Sequence, residues 1–261
     1  MFKQLTPLDS ASHSSLHINP DQPFTFASEL MAAPVMSGEA ELVAREYALV
    51  FPTKPGLPLA ILGIEDDRNA YVSAQGVWQA RYVPAHVRRY PFMLGTGAQQ
   101  AESIEGSNFT VMVDLDAPHF KFGTGKPLFT PDGRPEPALV NAQKLLIAIQ
   151  NDSERTLKLV QQLEDAQLLV QQPVIARPSS QPSVSLDGLR VVDRERLDSL
   201  EVNILHSLQA SGALGLVYAH MLSLTNLRDS VLVKTRYSVP GGGFELPGAD
   251  DDIISFGWSD N

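Results

Sequence analysis

The hydrophobic period changes once along the chain, and that change sets the fold class to expect. Up to Val113 the apolar residues come in short runs, at 43–51 (closed by Pro52), 58–64, 70–74, 77–82, 90–94 and 108–114. Glu65-Asp66-Asp67-Arg68-Asn69 is a turn cluster between two of them. Runs of this length, broken by turn residues, read as strands of a meander or partial barrel. After the loop-rich stretch 118–137 the spacing becomes helical. Leu139, Ala142, Leu146 and Ile149 step by three, four and three residues behind the helix-start sequence Pro135-Glu136-Pro137. Leu159, Leu163, Ala166 and Val170 predict a second helix, with Asp152 or Ser153 as its cap.

Further on, residues 173–183 read as a Pro/Ser linker and 184–192 as a hairpin or bulged strand around Asp187-Gly188. Asp198 and Glu201 have capping-box spacing, Ile204, Leu205 and Leu208 form an apolar face, and Gly212 is the expected stop. Residues 214–222 suit either a strand or a buried helix, and 223–233 a last short helix. The expectation is α+β: a β-rich N-terminal half, antiparallel, with helices mainly in the C-terminal half. Residues 1–40 read as an extended segment and 41–235 as one domain with a sub-boundary near 173–183. Residues 236–261 read as an acidic tail hinged at Gly241-Gly242-Gly243.

Charge and composition narrow the function. With 30 acids against 20 bases the chain carries a formal charge of −10, which argues against a phosphate backbone as main partner. There is no cysteine, so disulfide frameworks, thiolate zinc sites and thiol catalysis are excluded. The N-terminus has no basic segment followed by an apolar run, and no apolar stretch is long enough to span a bilayer. A cytoplasmic location is expected, with export independent of a signal peptide as the alternative. The tail from Phe244 on holds five acids, no base, and Ile253, Ile254, Phe256 and Trp258. It reads as a frayed or locally packed end, a docking peptide, or an export signal.

One block stands out from this acidic background. Between Trp78 and Phe92 lie Trp78, Tyr82, Tyr90 and Phe92 together with Arg81, Arg88 and Arg89. Guanidinium groups stack on rings and grip carboxylates or phosphates. The block is therefore either a binding surface for an anionic ligand or partner, or a packed belt paired with internal acids. Asn69 would order the adjoining turn. Asp114, Asp116 and His119 offer a weaker, metal-type constellation without a second histidine at ligand spacing. His220, in an apolar context, reads as a satisfied core or interface histidine. No Gly-x-Ser-x-Gly elbow, dinucleotide fingerprint or Walker loop is present.

The same block resembles the SapC family of bacterial proteins. Gly76, Trp78, Ala80, Tyr82-Val83-Pro84-Ala85 and Arg88-Arg89-Tyr90-Pro91-Phe92 fall in step with its pattern. So do 47–51, Leu62-Gly63, Asn69, Leu128-Phe129, Asp132-Gly133, Leu186, Gly188-Leu189, 212–214, and Tyr218-Ala219-His220 with Ser223-Leu224. Ala48 stands where the family tends to have proline, and the tail after Pro240 has no counterpart. The resemblance implies an accessory role in envelope or uptake biology, and with no cofactor motif in the residues no cofactor is expected. Its family name implies a surface-layer connection, and its members' gene context implies a partner associated with TonB-dependent receptors. A peptide permease that shares the name spans the membrane, which this chain has no segment to do. Three readings follow. The first is a non-enzymatic binding or accessory protein using Asn69, Trp78, Tyr82, Arg88, Arg89, Tyr90 and Phe92. The others are an exported structural protein and a metal-dependent enzyme built on Asp114, Asp116 and His119.

Overall fold

The computed structural model describes residues 1–64, 68–96, 109–122, 124–176 and 182–234. In chain order the strands are β1 (Leu5–Pro7), β2 (Leu16–Ile18), β3 (Ala32–Pro34), β4 (Leu49–Pro52), β5 (Leu59–Ile61), β6 (Phe92–Thr96) and β7 (Phe109–Asp114), followed by β8 (Phe120–Phe122), β9 (Lys126–Pro127), β10 (Leu169–Gln171), β11 (Val174–Ala176), β12 (Val184–Leu186) and β13 (Leu189–Val192). The α-helices are α1 (Ser10–His13), α2 (Ala40–Ala44), α3 (Ala85–Arg88), α4 (Pro137–Asp165), α5 (Arg194–Asp198), α6 (Val202–Ser211), α7 (Ala213–Ser223), α8 (Asn226–Asp229) and α9 (Val231–Lys234). The fold is α+β, with most strands early and the long helices late.

The largest described sheet has the order β10-β13-β4-β5-β3, and every pairing in it is antiparallel. Its central strand, β4, is apolar at Leu49, Val50 and Phe51, and all three are fully buried, as expected of a strand covered on both faces. A second sheet, β1-β7-β6, and a third, β8-β2-β9, enclose a separate cluster around Leu8, Phe92, Val111, Val113 and Leu128. The first forty residues thus supply a strand to each of these three sheets. α4 joins the two cores. Leu139 and Leu146 pack into the second cluster, whereas Leu159, Val160 and Leu163 belong to the first.

α7 is tied to the large sheet by side chains that bond to strand backbone. At the end where β4 and β13 diverge, His220 inserts its ring between them. Its Nδ1 lies 2.7 Å from the Leu49 carbonyl, and its Nε2 accepts from the Val192 amide at 3.1 Å. These partners assign the neutral tautomer with the proton on Nδ1. Ser223 accepts from the Leu49 amide at 2.8 Å. One imidazole and one hydroxyl therefore complete the ladder where no strand can.

Several local expectations are corrected. The apolar run 43–51 is split: Ala40, Val43 and Tyr47 share the buried side of α2 and its exit, and only Leu49–Pro52 is strand. Residues 70–74 and 77–82 form no strands beyond one Val72–Trp78 bridge, because side chains take their backbone amides. The Ser73 hydroxyl accepts from Gln75 and Val77, and Glu46 accepts from Arg81 and Tyr82. The two predicted middle helices are one helix of 29 residues. Asp152 is no cap; it accepts from the Ser37 hydroxyl and the Gly38 amide, both at 2.9 Å, while Thr156 accepts from the Ser37 amide at 2.7 Å. A Cβ on Gly38 would sit 2.6 Å from Asp152 Oδ2, so only glycine fits this approach. α4 ends at Asp165, before the left-handed Gln167, and Val170 lies in β10.

Glu201 makes no capping bond. Asp193 caps α5 instead, accepting from the Arg196 amide at 3.2 Å. Of the predicted apolar face on α6 only Leu208 is buried, with Ile204 and Leu205 over a third exposed. Residues 214–222 are helical, and Gly212 at φ +92° separates α6 from α7. The hairpin reading of 184–192 becomes a longer ribbon, with β10–β11 on one side and β12–β13 on the other. The turn cluster at 65–67, the glycine hinge and the acidic tail lie outside the described residues.

Burial pushes the His220 pKa down from 6.5 to about 4, against the bond to Leu49 that favours the charged form. Between those values the unfolded chain takes a proton that the fold refuses. His220 therefore contributes stability that is complete above pH 6.5 and is lost as pH falls toward 4. At about 1.4 kcal/mol per unit, the expected loss is on the order of 3 kcal/mol. Urea unfolding at pH 7 and pH 4.5 will show this slope, and His220→Asn will be less stable at pH 7 and have a shallower slope.

Candidate functional site

The Arg/aromatic block is bolted onto α2 and the residues flanking it. Glu46, just past the helix, accepts from the Arg81 and Tyr82 amides at 3.0 Å. Glu39, just before it and only 6% exposed, accepts from the Tyr82 hydroxyl at 2.7 Å, the Ala85 amide at 2.8 Å and the Met36 amide at 3.3 Å. Tyr47 donates its hydroxyl proton to the Tyr82 carbonyl and accepts from Trp78 Nε1 at 2.8 Å. Burial pushes the Tyr47 hydroxyl pKa up, so it stays a neutral donor. Burial and Glu39 together push Tyr82 up to about 12.

The seven residues singled out by sequence occupy different places. Asn69 is fully buried; its Nδ2 donates to the Ala27 carbonyl at 3.0 Å and its Oδ1 accepts from the Tyr71 amide at 2.9 Å, which pins the adjoining turn. Trp78 lies inside, 5.4 Å from the Phe24 ring. Tyr90 stacks on Phe26 at 4.3 Å and donates to Asp114 at 3.2 Å, while Phe92 belongs to the second core. Arg89 is half-buried over the Phe2 ring at 5.6 Å, and its buried Nε has no hydrogen-bond partner among the described residues. Burial lowers the Arg89 pKa.

Arg88 is exposed and held rigid. Its Nε donates to the Val83 carbonyl at 2.9 Å, its Nη2 donates to the Tyr82 hydroxyl at 3.0 Å, and its guanidinium lies 5.4 Å from the Tyr82 ring centre. No carboxylate among the described residues forms an ion pair with it. The structure thus brings Tyr82 and Arg88 together at the surface and uses Asn69, Trp78, Tyr90 and Phe92 as interior support.

Asp114 is fully buried and accepts from the Lys3 amide (2.8 Å), the Gln4 amide (3.0 Å), the Tyr90 hydroxyl (3.2 Å) and the Asp116 amide (3.3 Å). Burial opposes its ionisation, but these donors outweigh it and hold the pKa below the usual carboxylate value. Asp116 is exposed; His119 is buried against Phe26 and Tyr90, and burial pushes it down to about 4. Among the described residues no three His, Asp or Glu side chains are arranged to hold a metal ion.

Two features escaped the sequence. The anchoring acids Glu39 and Glu46 look like ordinary helix-flanking charges, and no neighbouring residue marks them out. A cleft of about 640 Å³ between α2, α4 and α7 has no local motif at all.

The chain matches SapC over residues 8–229. It belongs to the SapC family. No curated protein and no solved structure matches it. The matched span of this SapC-family chain takes in α2, the Arg/aromatic block, and the His220 and Ser223 contacts, and it stops before α9. Among the described residues no helix is long and apolar enough to cross a membrane.

Replacing Glu39 with alanine leaves the Tyr82 hydroxyl and two amides unpaired, at a cost of about 2–4 kcal/mol. Glu39→Gln, which keeps the carbonyl acceptor, will cost less. Chemical denaturation of both variants checks the order.

Proposed function

We propose that this SapC-family protein is a non-enzymatic binding or accessory protein of the bacterial envelope or a nutrient-uptake system. On this reading the face formed by Tyr82 and Arg88 meets a protein partner through acidic side chains, with Arg89 and the buried aromatics as its support. The observation that carries the reading is the fixed, exposed Arg88 guanidinium, in no ion pair among the described residues, on a chain with a surplus of acids. A side chain immobilised before binding loses less rotamer entropy when a partner arrives. Two of its five donor hydrogens are engaged, which leaves three for a carboxylate. The family resemblance supports the envelope or uptake setting and, beside it, a partner associated with TonB-dependent receptors.

Crosslinking pulldown of the tagged chain, from separated envelope and cytosol fractions, tests the proposal. Arg88→Ala is expected to lower recovery of the partner at least tenfold, and Arg88→Lys to restore part of it. Arg88→Ala will also lose two hydrogen bonds, about 1–2 kcal/mol, so unchanged circular dichroism must accompany the comparison. Equal recovery by the wild type and a folded Arg88→Ala variant would overturn the reading.

A further inference from the structure

α7 carries apolar residues all round, the pattern of a helix covered on every side. Yet one face is bare in the described structure. Leu214, Tyr218 and Leu222 recur every four residues along it; Leu214 is half-buried, Tyr218 is 52% exposed and Leu222 69% exposed. Leu42 of α2 lies beside them, 40% exposed. The upper part of this face forms one wall of the cleft, shared with α2 and α4. Gly215 opens it further, since nothing lies within 4 Å of where its Cβ would be. Without a side chain at 215, another segment has room to approach the α7 backbone there.

The cleft also has a cationic edge. Arg155 of α4 brings its Nη2 to 3.7 Å from the Cβ position of Gly212 and forms no ion pair among the described residues. Lys158, on the same helix, is exposed three residues further on. Glu41, on the α2 side, is the acid among the lining residues. An occupant of this groove should combine large apolar side chains with carboxylates.

Such a segment exists in the chain itself. Residues 250–260 read Asp-Asp-Asp-Ile-Ile-Ser-Phe-Gly-Trp-Ser-Asp, with four large apolar residues framed by acids and no base. The described chain also leaves from nearby. Asn226, at the start of α8, donates to the Ala44 and Tyr47 carbonyls at 2.9 and 3.0 Å, which places α8 at the end of the helix that walls the cleft. From Lys234 on, about 3.3 Å per extended residue gives residues 235–249 a reach of roughly 50 Å. Gly241-Gly242-Gly243 is linker sequence within that stretch. We infer that the acidic-aromatic tail docks in cis on the α7 face, seating Ile253, Ile254, Phe256 and Trp258 along Leu42, Gly215, Tyr218 and Leu222, with its aspartates toward Arg155 and Lys158. The tether gives the tail a millimolar effective concentration at the groove, so modest contacts suffice.

The absence of cysteine makes the test direct. The full-length chain carrying Gly215→Cys and Ser255→Cys is oxidised mildly and mapped by peptide mass spectrometry and non-reducing electrophoresis. A rapid disulfide within one chain is expected. Adding Phe256→Asp and Trp258→Asp, which leaves the tether length unchanged, should slow it at least tenfold. An unchanged rate means that tethered proximity alone made the bond, and overturns the inference. A disulfide between two chains overturns it in favour of a second copy on this face. Independently of any introduced thiol, Tyr218→Asp with Leu222→Asp should shift Trp258 emission, taken as the difference from the matching Trp258→Phe chain so that buried Trp78 cancels, to the red in a chain whose circular dichroism is unchanged. Unshifted emission in that variant counts against docking.

Discussion

The contact on which the architecture rests is the insertion of His220 between β4 and β13. Where two strands part, a carbonyl and an amide would face the core unpaired, and each such group costs about 1–3 kcal/mol. His220 answers one with each ring nitrogen, and Ser223 closes the neighbouring amide of Leu49. Burial keeps the ring neutral, which is the state that offers one donor and one acceptor. The bond pattern thereby fixes α7 in both position and rotation on the sheet.

Everything that presents the candidate surface follows from that placement. α7 packs on α2, and the residues flanking α2 carry the anchors for the Arg/aromatic block. Glu39, Glu46 and Tyr47 bind its backbone at Arg81, Tyr82 and Ala85. The rings behind the block then become interior, so the block is a belt on its inner side and a presented cation on its outer side. Arg88 is oriented by Val83 and Tyr82 and neutralised by no acid among the described residues, whereas Arg190 is paired with Glu164 at 2.7 Å. The difference between these two arginines is the physical ground on which recognition is proposed for Arg88, whereas Arg190 is held in an internal ion pair.

Most places where sequence and structure part involve a polar side chain whose partner the hydrophobic period does not reveal. Asp152 with its polar neighbours looks like a helix start, but its carboxylate faces the loop at Ser37 and Gly38, so the helix runs through. Ser73 and Glu46 capture amides that would otherwise build strands near Trp78. Leu214 to Leu222 could not be assigned by period, because a helix apolar on all sides has little amphipathic signal. Glu39 was invisible because nothing local distinguishes a buried acceptor of three hydrogen bonds from a solvated acid.

By itself the sequence determined the α+β class, an apolar run closed at Pro52 whose last residues are strand, the glycine stop at 212, the buried setting of His220 and the family. These rest on period, steric freedom and a specific local motif, all of which are written in neighbouring residues. Only the tertiary structure decided which aromatics of the block are interior, that Arg88 is fixed and in no ion pair among the described residues, that one long helix joins two cores, and that a cleft lies between α2, α4 and α7 beside Arg155. Those depend on burial and on hydrogen bonds between residues far apart in the chain, and such pairings exist only once the fold has brought them together.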